Sequence, residues 1–100
     1  MSDKTFCGQS VNITLSTFSD GEGQHAQICL RQTPEEHELC RGTSTLPVLY
    51  VDGHGYDLLS MKNAVLRALS CALGNAVLEG YDARPIKTDI LACAKLWSTF

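Results

Sequence analysis

The sequence predicts an α+β domain: a three-stranded antiparallel sheet with a long amphipathic helix and a C-terminal helix packed on one face, in the order β-β-short α-β-α-α. Three observations lead there. Two runs of alternating polarity flank a glycine-containing turn. The stretch from Asp57 to Gly80, DLLSMKNAVLRALSCALGNAVLEG, repeats its apolar residues with a helical period. A shorter stretch near Trp97 does the same.

The first alternating run is QSVNITLSTF, from Gln9 to Phe18. Val11, Ile13 and Leu15 point one way, and Asn12, Thr14 and Ser16 the other, as in a half-buried strand. Phe18 breaks the alternation and falls on the polar side. SDGEGQ follows, and its glycines suit the positive φ of a hairpin loop. The return strand is His25 to Gln32. Ala26, Ile28 and Leu30 face in, while His25, Gln27, Cys29 and Arg31 face out. Residues 1–8 read as a frayed start or the lead into a strand, with Phe6 tucked toward the core.

In TPEEHELCRG, Thr33, Pro34 and Glu36 fit a capping box with proline at the first helical position. The expectation is a short helix near residues 34–40, stopped by Gly42, or a mobile loop. Thr45 to Val51 reads as the third strand, and Pro47 places it at a strand start or an edge. DGHG then turns the chain into the long helix.

There, Leu59, Leu66, Leu69, Leu73, Ala76 and Val77 recur at spacings of three, four and seven, and Leu58, Met61, Val65, Ala68 and Ala72 widen the stripe. Asp57 or Ser60 can cap the start, and Gly80 suits the left-handed residue past the end. Gly74 inside the helix costs about 1 kcal/mol against alanine. Close approach of another backbone is the expected compensation. After Gly80, YDARP reads as a connection, because Pro85 forbids one continuous helix. The last helix is expected over Thr88 to Ser98, capped by Thr88 or Asp89, with Ile90, Leu91, Ala94 and Trp97 as its apolar stripe. The small residues Ala92, Cys93 and Ala94 match the thin half of the long helix, so the two helices should pack together.

Residues 1–100 make one domain of ordinary globular composition, 44% apolar and 19% charged. The net charge of −3 argues against a general nucleic-acid binder and against attraction to an anionic membrane. No apolar run approaches the roughly 20 residues needed to span a bilayer. MSDKTFCGQS has no apolar core of a secretory signal. Five cysteines without a CxxC spacing read as reduced thiols in a cytoplasmic protein.

Candidate chemistry is sparse. His37 and Cys40 lie three apart on the expected helical turn, and His54 could add a third ligand, but that spacing is too thin for zinc and no metal site is assigned. His25 and Cys29 lie four apart on a strand and cannot share an ion. A nucleophilic cysteine would be Cys7, Cys29 or Cys40, since Cys71 and Cys93 read as buried. The loop DGHGYD, Asp52 to Asp57, has carboxylates and a histidine but no metal-loop or phosphate-loop pattern. No catalytic residue and no cofactor are expected.

The surface reads more clearly. Asp20 and Glu22 sit on the hairpin tip, and Glu35, Glu36 and Glu38 lie within four residues. Together they form the expected partner-binding set, provided both groups lie at one end of the fold. The expected function is a non-catalytic protein-binding or inhibitory module that covers a nucleic-acid-processing partner with a basic surface. Its size and style suit a phage or mobile-element inhibitor of a host defence complex, of the anti-CRISPR kind. Direct nucleic-acid binding and membrane binding are not expected. The alternatives are a small Cys/His metal-dependent protein or enzyme built on His37, Cys40 and His54, and a structural homodimer joined by the thin helix face or an edge strand.

Overall fold

The structure, a computed structural model, describes residues 2–33, 35, 37–46 and 58–97. Among the described residues there are four strands and two helices: β1 (Ser2–Cys7), β2 (Val11–Ser19), β3 (Gln24–Gln32), β4 (Glu38–Leu46), α1 (Leu58–Leu78) and α2 (Ala83–Trp97). The strands form one antiparallel meander in the order β1-β2-β3-β4. Both helices lie on the same face of it. The α+β architecture therefore stands, with four strands in place of three.

The central pair follows the alternation in the sequence. Val11, Ile13 and Leu15 of β2 and Ala26, Ile28 and Leu30 of β3 are buried. Ile13 pairs with Leu30 and Leu15 with Ile28, so one register carries both apolar rows to the same face. The expected lead-in is a full strand, β1, which places Phe6 beside Ile13. Phe6 packs on the core as expected.

Where a short helix at residues 34–40 is expected, Thr33 and Glu35 lie in a turn and Glu38–Cys40 begin β4. The capping signal at Thr33 is local, whereas β4 gains a whole strand of ladder bonds against β3. Its alternation is hidden because the inward positions are small: Cys40, Gly42 and Ser44 face Leu30, Ile28 and Ala26. A register shift between Leu30 and Arg31 leaves Leu39 as an extra residue, a β-bulge near the start of the strand. Of the expected strand Thr45 to Val51, only Thr45 and Leu46 are described, and they end β4. The rest of that segment, with the Asp52–Asp57 loop, His54, Pro34 and Glu36, lies outside the described residues.

Gly42 marks where α1 meets the sheet. A Cβ there would run into the Ala68 carbonyl oxygen and the Ala72 backbone nitrogen, and would lie 2.8 Å from Ala72 Cα. The facing ridge of α1 is made of alanines: Ala64, Ala68, Ala72 and Ala76, four apart and each 0% exposed. Val65 and Leu69 are buried beside them, while Leu66 and Leu73 are only partly buried and Val77 is half exposed. The apolar stripe is thus centred on alanines rather than leucines, because only small side chains fit so close to β4. Cys71, expected in the core, is exposed. Gly74 also faces outward, where an added Cβ would meet nothing within 4 Å, so the expected close approach occurs at Gly42 instead.

Gly80 ends α1 as expected, with φ at 92°. Its N–H bonds Val77 O, and the Tyr81 N–H reaches back to Ala76 O at 3.1 Å, the two-bond pattern of a Schellman cap. α2 starts earlier than Thr88. Asp82 caps it by accepting the Arg84 N–H at 3.1 Å, and Pro85 falls in the first turn, where a missing N–H removes no helical bond. Ile86, Ile90, Cys93 and Trp97 form its buried stripe; Leu91 is exposed.

Asp89, expected as a cap, sits on that buried stripe at 4% exposure. Its Oδ1 accepts the N–H of Gln9 at 3.1 Å, and its Oδ2 accepts those of Ser10 and Val11 at 2.8 and 3.0 Å. One carboxylate thereby satisfies the β1–β2 turn and ties the first hairpin to the last helix. Gly8 has no room for a side chain, because a Cβ would lie 2.6 Å from Asp89 Cγ.

Two comparisons test this packing by chemical denaturation. Gly42→Ala should destabilise by about 3 kcal/mol, the upper range for overpacking against backbone. Gly74→Ala should instead stabilise by up to about 1 kcal/mol through helix propensity. Equal effects at the two glycines would place α1 in the wrong rotation. Asp89→Ala should cost about 3 kcal/mol by stranding the turn's N–H groups. A loss under about 0.5 kcal/mol would mean water replaces the carboxylate without penalty.

Candidate functional site

The helices cover one face of the sheet, and no described element covers the other. Strand pairing arranges this outer face in cross-strand rows. One row is Cys7, Asn12, Arg31 and Glu38; the next is Thr5, Thr14, Cys29 and Arg41. The third is Asp3, Ser16, Gln27 and Thr43, and the last is Phe18, His25 and Thr45. Asn12, Thr14, Ser16, Gln27 and Arg31 point outward as their positions in the sequence predict. The face is mostly polar and mixed in charge.

The last row has the most structure. The Phe18 and His25 rings stack with centroids 4.3 Å apart and planes within 4°. His25 Nδ1 lies 3.1 Å from the Thr45 hydroxyl. His25 Nε2 lies 2.9 Å from Asp20 Oδ1, and the carboxylate can only accept, so the ring donates there. Asp20 Oδ1 also accepts the N–H of Glu22 at 2.8 Å and of Gly23 at 3.1 Å, which shapes the turn. The His25 bond, then the Glu22 N–H, holds the Asp20 carboxyl below the usual carboxylate range. Asp20 is therefore a firm negative charge at neutral pH. Among the described residues nothing bonds the Glu22 carboxylate.

The expected acidic set is divided by the topology. Asp20 and Glu22 lie in the β2–β3 turn, whereas Glu35 and Glu38 lie at the opposite end of β3. That strand has nine residues, so about 26 Å of chain separates the two groups. They do not form one patch. Glu38 is also matched locally: the Arg41 guanidinium takes its carboxylate in a two-point bond at 2.6 and 3.1 Å, and that bond, reinforced by the charges of Arg41 and Arg31, holds the Glu38 carboxyl low. Glu35 lies 3.8 Å from His37 Nδ1. Glu36 is outside the described residues. The hairpin tip is the acidic group that stands apart.

The cysteine candidates separate by burial. His37 lies in the exposed turn and Cys40 is buried in β4, not on a shared helical turn, so the pairing considered for a metal fails. Cys40 Sγ donates to Ala72 O at 3.3 Å. Burial, followed by the charges of Cys29, Glu79 and Glu38, pushes its thiol up to about 11. Burial alone pushes Cys93 up to about 12. Neither supplies a thiolate near neutral pH. Cys7 and Cys71 are exposed and Cys29 is half-buried.

On the helical side, a groove of about 770 Å³ runs along the outward face of α1 beside Thr43. Cys71, Gly74, Val77 and Leu78 line it, and Leu78 is 85% exposed. Sequence reasoning missed this surface, because it placed Val77 and Cys71 in the core. Among the described residues no helix is long and apolar enough to cross a membrane.

The chain matches no protein-family model, no curated protein sequence and no solved structure, so its function has to be argued from its own residues.

Proposed function

We propose that this protein is a non-catalytic binding module that docks a protein partner on the outer face of its sheet, at the hairpin end. The observation that carries this reading is the uncovered last row beside the acidic tip. Phe18, 40% exposed, supplies an apolar anchor. Asp20 and Glu22 supply negative charge at its edge. An aromatic centre with a charged rim is how compact interfaces gain both affinity and orientation. The fitting partner has a basic rim around an apolar recess. A nucleic-acid-processing complex is one such partner, and covering its basic groove would inhibit it. The inhibitor of a host defence complex expected from the sequence is a particular form of this reading.

A second reading has its own observation. Val77 and Leu78 stand exposed around Gly74 on a face where a solvated helix normally carries charge. Self-association through α1 would cover them. The mass of the protein in dilute solution separates this reading from the first.

The test is capture of a partner by the tagged chain, identification by native mass spectrometry, and titration with variants. Phe18→Ala should weaken binding by about 2 kcal/mol, the size of an interface anchor. Asp20→Lys with Glu22→Lys should slow association about tenfold at low salt. Glu35→Lys, at the far end of β3, should change neither. Loss of binding with Glu35→Lys and not with the tip variants would move the interface to the other end of the sheet.

A further inference from the structure

We propose that Asp20, Glu22 and His25 form a binding site for a divalent first-row transition-metal cation at the β2–β3 turn. Their ligand atoms all lie within 4.8 Å of one another, close enough for side-chain rotation alone to bring them around one ion. Zinc takes imidazole nitrogen and carboxylate oxygen at about 2.0 to 2.2 Å. The imidazole favours such a cation over magnesium or calcium, which prefer all-oxygen sites.

The histidine is already oriented for the task. Phe18 fixes the plane of its ring by stacking, and Thr45 holds Nδ1 at 3.1 Å. A hydroxyl can donate or accept. Binding exchanges the Nε2–H bond to Asp20 for a bond to the ion: the ring proton then sits on Nδ1, where Thr45 accepts it, and the Nε2 lone pair is freed. This is the outer support that ligating histidines normally have. Asp20 is similarly prepared. Its turn-forming bonds and its bond to His25 all use Oδ1, and none uses Oδ2. Glu22 is positioned through its backbone, with its N–H fixed to Asp20, while its carboxylate remains available. Three protein ligands leave a further position for water.

The site shares two residues with the docking surface but does not depend on it, so the test uses the purified full chain with no partner. Zinc ion is titrated while the ring nitrogens of His25 are followed by NMR, with magnesium as the contrast. Zinc should bind at one ion per chain and shift Nε2 specifically, and magnesium should not. His25→Ala should abolish this binding. Glu22→Gln and Thr45→Val should each weaken it about tenfold or more while the fold persists. An Nε2 signal that does not respond to millimolar zinc would overturn the proposal. So would zinc binding that is unchanged in His25→Ala, which would assign the ion to the exposed thiols.

Discussion

The structure depends on how closely α1 lies on β4. Backbone meets backbone at Gly42, where a single methyl group would strike the helix at Ala68 and Ala72. Every neighbouring choice follows from that distance. The helix presents a ridge of four alanines, and the strand presents Cys40, Gly42 and Ser44. The Cys40 thiol bonds the Ala72 carbonyl because it lies within reach. Close packing of small residues forgoes the large transfer energy of leucines, but it gains dense contact across the whole ridge. The larger side chains, Ile13, Leu15, Ile28, Leu30 and Leu69, are fully buried in the same core cluster as the alanines.

α2 is fastened by a different force. Its buried stripe contains a carboxylate, which would be costly without partners. Three N–H groups of the β1–β2 turn supply them. A tight turn at a sheet's end leaves N–H groups with no ladder to join, so each side satisfies the other. The result is a contact between the two ends of the chain that is geometrically specific as well as apolar. With α1 seated at Gly42 and α2 tied at Asp89, the two helices pack on one face of β2, β3 and β4. Among the described residues the opposite face is the surface the sheet offers to another molecule.

Much of this was legible in the sequence, and each part that was not has a physical reason. The alternation in Val11–Leu15 and Ala26–Leu30 marks two strands and their inward faces correctly, because large apolar residues there contrast with polar ones. The Asp57–Gly80 stretch marks the long helix and its glycine end. β4 was hidden because its inward residues, Cys40, Gly42 and Ser44, include no large apolar side chain to contrast with the outward ones, leaving the Thr33 capping signal to dominate the local reading. The same smallness shifted the apparent face of α1: leucines draw attention, but alanines make the contact. Asp89 read as a cap because aspartate at a helix start usually is one, and nothing in the neighbouring residues reveals a turn 80 positions away. The acidic set was recognisable as residues but not as a surface. A short helix after β3 could have folded back toward the hairpin tip and joined the two groups. With β4 in its place, Glu38 is fixed in the ladder opposite Arg31, a full strand length from the tip.

The hairpin tip remains the place where structure and function are hardest to separate, and the two acidic residues differ in this respect. Asp20 has a sufficient structural reason to be acidic: its carboxylate shapes the turn and holds His25. Glu22 makes none of those bonds with its side chain. It stands exposed beside a firm negative charge, where a second carboxylate adds repulsion and gives the turn nothing in return. Phe18 is similar on the apolar side, since the core does not require its ring, and stacking on His25 leaves it 40% exposed. The fold explains Asp20 and His25, whereas Glu22 and Phe18 are the residues it does not require. A charge and an aromatic ring that the fold does not need, both close to an oriented histidine, are the strongest reason to look for a ligand at this end of the sheet.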